Sequence, residues 1–433
     1  MTFEELGLCP EILRALKSRG YKTATAIQAQ AIPAILKKND VLGGAQTGTG
    51  KTAAFALPIL EKLSHEKSKT KHPKVLVLTP TRELADQVTE SFISYGQNLD
   101  VRSIKIYGGV GISKQISTLR KGCDVVIATP GRLLDHLSQK TIDMKMIHTL
   151  VLDEADRMLD MGFIHDIKRI IKYLPNKRQN LLFSATYAKE IMALANSILD
   201  NPVSIEVARR NTAAEKVIQK LHYVEKNRKR DLLIHLIKEK GWFQVLVFVK
   251  MKHAASRLAK QLEKAGIPSA AIHGDKSQGA RTRALKEFKT GEIQALIATD
   301  IAARGIQIDN LDQVVNFDLP QVPEDYIHRI GRTGRAGLSG NAVSFVSQEE
   351  HSILKRIEKL LEKPIPDEKI DGFDAGDVYP SIRKDSGNTG NRNKGKSDNP
   401  AFGKVQGGHR GRSRKKSAQI SSRQKGQNNW GKK

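Results

Sequence analysis

Short runs of Val, Ile and Leu alternate along the chain with longer stretches in which apolar residues recur at helical spacing. The runs begin with VLVLT at Val75, VVIAT at Val125, TLVLD at Thr149 and NLLFS at Asn180. Each is continuously apolar rather than alternating, the pattern of a strand buried on both faces. Strands of that kind separated by helical segments predict an α/β fold, a parallel sheet wrapped by helices. A polar stretch from about Glu206 to Gln219 breaks the rhythm, which restarts with VLVFV at Val245, SAAIH at Ser269, ALIAT at Ala295 and VVNFD at Val314. Two tandem α/β domains are therefore expected, over residues 1–206 and 220–370, with a linker over 207–219. DVVIATPGR (124–132) and QALIATDIAARG (294–305) form a faint internal echo. Each is a buried strand ending in Ala-Thr before a polar turn.

From residue 371 the composition changes. Gly, Ser, Asn, Lys and Arg dominate, little apolar remains to be buried, and 371–433 is expected to be a disordered tail. Charge then adds a partner. Over the 433 residues, Lys and Arg outnumber Asp and Glu by 72 to 46, for a formal net charge of +26, which points to a polyanion. Pro380–Lys433 alone carries 15 Lys and Arg against 2 Asp, half of that excess, so a tethered nucleic-acid-binding arm is expected over a merely solubilising end. Phe402, His409 and Trp430 are too sparse there to argue for base stacking. No membrane partner is expected. The longest aliphatic or aromatic run is about five residues, Val245–Val249, against the ~20 needed to span a bilayer. The start, MTFEELGLCP, has neither a basic end nor an apolar signal core, so a cytoplasmic location is expected. Cys9 and Cys123 lack metal-ligand spacing and are expected to be small core residues.

Chemistry enters with AQTGTGKT, Ala45 to Thr52, which follows the short strand DVLGG and precedes a helical segment. In that context Ala45, Gln46, Thr47, Gly48, Thr49 and Gly50 form a turn whose backbone N–H groups can cradle phosphates. Lys51 would reach the β- and γ-phosphates of a bound nucleotide, and the Thr52 hydroxyl would ligate Mg²⁺. TLVLDEADRMLD then places four carboxylates within eight residues directly behind an apolar run. In an open parallel sheet the ligand lies off the carboxyl ends of the strands, so Asp153 and Glu154 arrive at that edge. Asp153 is the candidate to hold Mg²⁺ and Glu154 the candidate to orient and deprotonate the attacking water. Capping of the next helix is the plainer use of such acids, but a phosphate loop about a hundred residues upstream weakens it. HRIGRTGR, His328 to Arg335, could be no more than a basic surface turn. Alternatively, Arg332 and Arg335 are arginine fingers that reach the γ-phosphate when the domains close.

AQTGTGKT, DEAD, SAT (Ser184–Thr186) and HRIGRTGR, in that order, resemble the DEAD-box ATP-dependent RNA helicases of superfamily 2. PTREL (80–84), YGG (107–109), TPGR (129–132), HGDKSQGAR (273–281) and ATDIAARG (298–305) fit as well, and the resemblance spans about residues 1–350. Short linkers and a bare basic tail look most like the bacterial RhlE-type branch. The resemblance implies two RecA-like domains with ATP in the cleft between them and single-stranded RNA across both. It assigns RNA-backbone contacts to Thr81, Arg82, Gly109, Thr129, Gly131 and Arg132 in the first domain and to Gly274, Arg281 and Thr299 in the second. Such contacts carry little sequence information. It further implies that Ser184 and Thr186, with Asp156, link nucleotide state to RNA grip, with His328 in the same network, and that Tyr21 stacks on adenine while Gln28 reads its edge. Phe3 stands where the family keeps a further aromatic.

Two departures stand out. Ala24 and Ala26 replace the family's prolines, removing two φ restraints beside the adenine site. Gln307 replaces an acid that helps to bind the ribose, which predicts weaker closure around ATP. The leading reading is an RNA-stimulated ATPase that opens short duplexes or remodels ribonucleoprotein. A weakly hydrolysing RNA-binding or annealing clamp and a DNA-translocating motor are the rivals. Ribosomal or RNA-decay complexes are candidate partners, and the pathway and oligomeric state are not encoded legibly.

Overall fold

The computed structural model describes residues 1–45, 48–66, 71–207, 217–303, 311–334 and 340–373. Gln46, Thr47, Gln307, Arg335 and the tail beyond residue 373 lie outside them. Two parallel sheets organise the rest. The first has the order β3-β4-β2-β5-β6-β1-β7, with β1 Val41–Ala45, β2 Val75–Leu78, β3 Ser103–Ile106, β4 Val125–Ala128, β5 Thr149–Leu152, β6 Gln179–Ser184 and β7 Val203–Val207. The second has the order β10-β11-β9-β12-β13-β8, with β8 Val217–Tyr223, β9 Val245–Phe248, β10 Ser269–Ile272, β11 Ala295–Ala298, β12 Gln313–Asn316 and β13 Gly340–Val346.

Counted from its own first strand, each sheet reads 3-4-2-5-6-1, and β7 extends the first past β1. The sequence echo falls on equivalent strands, β4 and β11. Thr129 N donates to Ile106 O on β3, and Thr299 N donates to Ile272 O on β10. β7, the last strand of the first sheet, ends at Val207, and β8, the first strand of the second, begins at Val217.

Both faces of the first sheet are covered by apolar clusters, one around Phe55, Phe92 and Phe183 and one around Met158, Ile167 and Leu194. In the second sheet the corresponding clusters centre on Leu233 and Phe345 and on Phe248 and Phe288. Burial on both faces is why the strand runs lack alternation. Cys123 is core, and burial pushes its thiol up to about 12, whereas Cys9 is only half-buried. Among the described residues, no helix is long and apolar enough to cross a membrane.

Register brings the motifs to one edge. Leu78 pairs with Ala128 and Leu152, Ile106 with Ala128, and Gly44 with Ser184. Ala45, Thr79, Tyr107, Thr129, Asp153 and Ala185 therefore leave the sheet along its carboxyl edge. Several helices beginning there are capped by the motif residues themselves. The Thr81 side chain accepts from Leu84 N and starts Arg82–Tyr95. Pro130 occupies the first turn of Pro130–Ser138, where its missing N–H costs nothing.

Candidate functional site

The phosphate loop closes through its glycines. Gly48 and Gly50 have φ of 88° and 92°, a region that L side chains enter at a cost. Gly50 has a second constraint, since a Cβ there would overlap the Gln28 amide nitrogen. Lys51 opens the helix Lys51–Ser64, is buried, and donates from Nζ to Ala45 O at 2.8 Å. Ala45 thus contributes its carbonyl, and the loop is closed by its own lysine. Thr52 is half-buried in the same first turn.

Asp153 and Glu154 follow β5 and are almost wholly buried, at 2% and 5% exposure. Among the described residues, Asp153 Oδ1 and Glu154 Oε2 have no hydrogen-bond partner. Two orphaned carboxylate oxygens in a dry edge are costly unless something cationic or protic meets them. Burial pushes the Asp153 carboxyl up to about 7, with Lys51 opposing the shift and Glu154 adding to it. Glu154 sits at φ 52°, ψ 53°, a left-handed conformation that a non-glycine residue holds only when its surroundings impose it. Asp156, one turn on, accepts from Ala185 N at 3.2 Å. Ser184 Oγ donates to Thr186 O at 2.8 Å. Asp156 therefore reaches the SAT segment through the Ala185 amide rather than through either hydroxyl.

Gln28 is buried, and its carboxamide is engaged at both ends. Thr25 N donates to Oε1 at 2.9 Å and Nε2 donates to Gly50 O at 3.2 Å, so the residue that starts helix Ala26–Leu36 also braces the phosphate loop. Tyr21 is 43% exposed and stacks on Phe3 at 6.5 Å between centroids, with Tyr95 at 6.3 Å.

On the neighbouring loops Arg82 lies against Gly109, whose φ of 79° and missing Cβ make room for the guanidinium. Arg132 Nη1 donates to Val110 O at 2.9 Å. Gly131 and Gly274 are exposed, Thr81 and Thr129 are buried, and Thr299 is half-buried. Arg281 is drawn elsewhere, pairing with Glu83 of the first lobe at 2.8 Å, while Gln278 bonds both Arg82 and Glu83.

At the second lobe's edge Arg329 is a structural anchor. It grips both oxygens of Asp300 at 2.6 and 2.8 Å and reaches Asn316 Oδ1. Arg332 is buried beside it. A small cavity there is lined by Arg157 of the first lobe together with Asp300, Asp325, His328 and Arg332. Arg157, directly behind the acid cluster, is 3.4 Å from Asp325 and joins the lobes. Sequence reasoning missed Arg157, Glu83, Gln278 and Arg329. Glu83, Gln278 and Arg329 lie inside the runs PTREL, HGDKSQGAR and HRIGRTGR, and Arg157 directly follows DEAD, so the signal was motif membership without an assigned role. Among the described residues, no group of three or more His, Cys, Asp or Glu could hold a metal.

Known proteins agree with this arrangement. The DEAD/DEAH box helicase family matches residues 25–194, and the helicase conserved C-terminal domain matches residues 228–337. The DEAD-box ATP-dependent RNA helicase CshA of Geobacillus kaustophilus is 43% identical over 86% of this chain and 80% of its own length. This chain belongs to the DEAD-box RNA helicases. CshA of Bacillus subtilis is 41% identical over 86% of this helicase and 76% of its own length. These relatives bear the CshA name and lend no support to an RhlE-type placement. Among solved structures, S. cerevisiae Dbp5 bound to RNA and ADP BeF3 superposes with a TM-score of 0.76 at 33% identity, covering 84% of this helicase and 95% of Dbp5. Mss116p bound to ssRNA and AMP-PNP gives 0.77 at 30% identity over 86% and 80%. Both lobes of this helicase are RecA-like.

Proposed function

We propose that this DEAD-box helicase hydrolyses ATP in an RNA-stimulated manner and uses closure of its two lobes to unwind short RNA duplexes or remodel ribonucleoprotein. The observation that carries the reading is the pair of buried, partnerless oxygens of Asp153 and Glu154 on the same sheet edge as the phosphate loop. The Ala45–Gly50 turn binds the phosphates, and Lys51 leaves the Ala45 carbonyl to neutralise them. Glu154 positions the attacking water and accepts its proton. Arg332 and Arg335 supply positive charge from the second lobe, and Gln307 is assigned to the ribose. Tyr21 and Gln28 receive the adenine.

Mg²⁺ fits this edge. Thr52 and Asp153 are hard oxygen donors, Asp153 Oδ1 lacks a partner, and two protein ligands beside substrate phosphates suit a cation that keeps its waters. When bound it would offset phosphate charge.

RNA binds through Thr81, Arg82, Gly109, Thr129, Gly131, Arg132, Gly274, Arg281 and Thr299. The Arg82–Gln278 and Arg281–Glu83 contacts support a surface that forms only when the lobes meet. Asp156, Ser184, Thr186 and His328 transmit nucleotide state to that surface. The folded lobes cover 1–206 and 220–370, the second extended back to Val217 where β8 begins. The basic segment 371–433 serves as a further RNA-binding arm, in a cytoplasmic protein with ribosomal or RNA-decay complexes as partners.

A substrate panel tests the proposal. Single-stranded RNA should stimulate ATP hydrolysis and DNA should not. RNA binding without turnover would instead establish an annealing clamp, and stimulation by DNA a DNA motor.

A further inference from the structure

The loop Tyr107–Val110 carries Gly109, assigned above to the RNA backbone, and is held from three sides. Tyr107 OH donates to Asp86 Oδ1 at 2.9 Å, Arg132 Nη1 donates to Val110 O at 2.9 Å, and Gln115 Nε2 donates to Tyr107 O at 2.8 Å. Gln115 lies on the helix Ile112–Arg120, which belongs to no motif discussed so far. Behind it is His136, 0% exposed, on the same helix as Arg132, with its Nε2 at 3.0 Å from Gln115 Oε1 and its Nδ1 at 2.7 Å from Thr141 Oγ1.

The chemistry of these partners fixes the direction of the bonds that run from His136 through Gln115 to Tyr107. A carbonyl only accepts, so the Gln115 amide nitrogen must face Tyr107 O, which turns its oxygen toward His136. His136 Nε2 must then carry a proton. Burial, and then the Arg132 charge nearby, hold the His136 pKa below its ordinary value, and the Thr141 hydroxyl, which also donates to His136 O at 3.1 Å, braces the ring from its Nδ1 side. A one-way chain results, from His136 through Gln115 to the Tyr107 carbonyl.

We infer that Gln115 and His136 are positioning residues for RNA binding, setting the peptide planes of the Tyr107–Val110 loop and locking that loop to the helix that bears Arg132. Rotation of those peptides would drive Gly109 into the Arg82 guanidinium, which already fills the space a Cβ would need. Loosening the chain therefore disturbs three RNA-facing groups at once, Arg82, Gly109 and Arg132. It leaves the phosphate loop and the acid pair untouched. The inference rests on the assignment of this loop to RNA.

The experiment is RNA-stimulated ATP hydrolysis by the full chain, with an unstructured single-stranded RNA as the probe, reading KM for RNA, KM for ATP and kcat separately. His136→Leu and Gln115→Glu remove the donor and reverse the polarity facing Tyr107 O, respectively. Each should raise KM for RNA by about 5- to 20-fold, the scale of one lost buried hydrogen bond, with kcat at saturating RNA and KM for ATP within about twofold of wild type. His136→Gln carries an amide nitrogen near the place of Nε2 and should restore the RNA KM. The inference is overturned if His136→Leu folds with an unchanged RNA KM, or if His136→Gln is as impaired as His136→Leu. Should His136→Leu fail to fold, Gln115→Glu decides alone, and an unchanged RNA KM there overturns it equally. Arg132→Ala separates the two levels. If it too leaves the RNA KM unchanged, the assignment of the loop to RNA fails; if it raises KM while the Gln115 and His136 variants do not, only the present inference fails.

Discussion

The two lobes share a strand order and differ in what they do with the same edge. In the first, β5 delivers Asp153 and Glu154 with oxygens left unpaired. In the second, the equivalent strand β12 pairs Asn316 with Phe248 as β5 pairs Leu152 with Leu78, so Phe317 and Asp318 stand where Asp153 and Glu154 stand. There the edge is filled from within. Asp318 Oδ2 accepts from Lys250 N at 2.9 Å, Arg329 occupies Asn316 and Asp300, and Lys229, with its side chain 2% exposed, bonds Phe317 O at 2.7 Å and Glu350 at 2.6 Å. One copy of the topology satisfies the polar groups of its edge with its own cations. The other leaves them for a ligand.

The largest test exchanges the equivalent acids. Glu154→Gln should lower RNA-stimulated phosphate release by ~10² to 10⁴-fold while ATP still binds, the usual cost of a lost base. Asp318→Asn should change it less than about threefold, since an amide oxygen still accepts from Lys250. Equal losses would end the distinction between the edges. Next, Lys229→Met leaves Glu350 buried without its cation and should destabilise the protein by about 3–5 kcal/mol in urea titrations at pH 7. Burial works against ionisation of Glu350, but Lys229 and backbone donors win and hold its pKa below the ordinary value. That contribution is present above the unfolded carboxylate range and is lost as pH falls through the depressed folded value, so the gap between wild type and variant should narrow in acid. A pH-independent gap would mean lost packing instead.

A smaller effect of opposite sign belongs to the open edge. Asp153→Asn should raise the melting temperature of the nucleotide-free protein at pH 8, in chelator, by a few degrees on the order expected for relief of a buried charge. An unchanged or lowered melting temperature would show that the edge is not strained when empty. Smallest is the second lobe's own share in the nucleotide. Gln307→Asp should lower the apparent KM for ATP about two- to fivefold, since restoring a charged hydrogen-bonding group strengthens its bond. No change would remove position 307 from the binding site.

Strands β2, β4, β5, β6, β9, β11 and β12 were legible because burial on both faces leaves an unbroken apolar run, and the edge strand β10 because its Ala-Ala-Ile run is apolar as well. β7 and β8 were hidden in the polar stretch. They are edge strands, with Val203, Ser204 and Glu206 exposed on β7 and Ile218 and Lys220 exposed on β8, so one face reads as solvent. Lys51 and the pair Asp153–Glu154 were legible because phosphate chemistry needs a fixed short spacing. His136 and Gln115 were not, being single polar residues whose meaning depends on a carbonyl brought to them from another loop.

The sequence by itself determined the two-lobed parallel α/β plan, the phosphate loop, the acid pair and the family, since each is written in local patterns of a few adjacent residues. Only the tertiary structure decided that Arg281 meets Glu83, that Arg157 meets Asp325, that Arg329 is an anchor, and that the second edge is closed. Those outcomes depend on which long side chain reaches which partner across tens to hundreds of residues. Burial then decides the sign of each contact, because an ion or amide that is innocuous in water becomes either a tight pair or an unmet demand once water is removed.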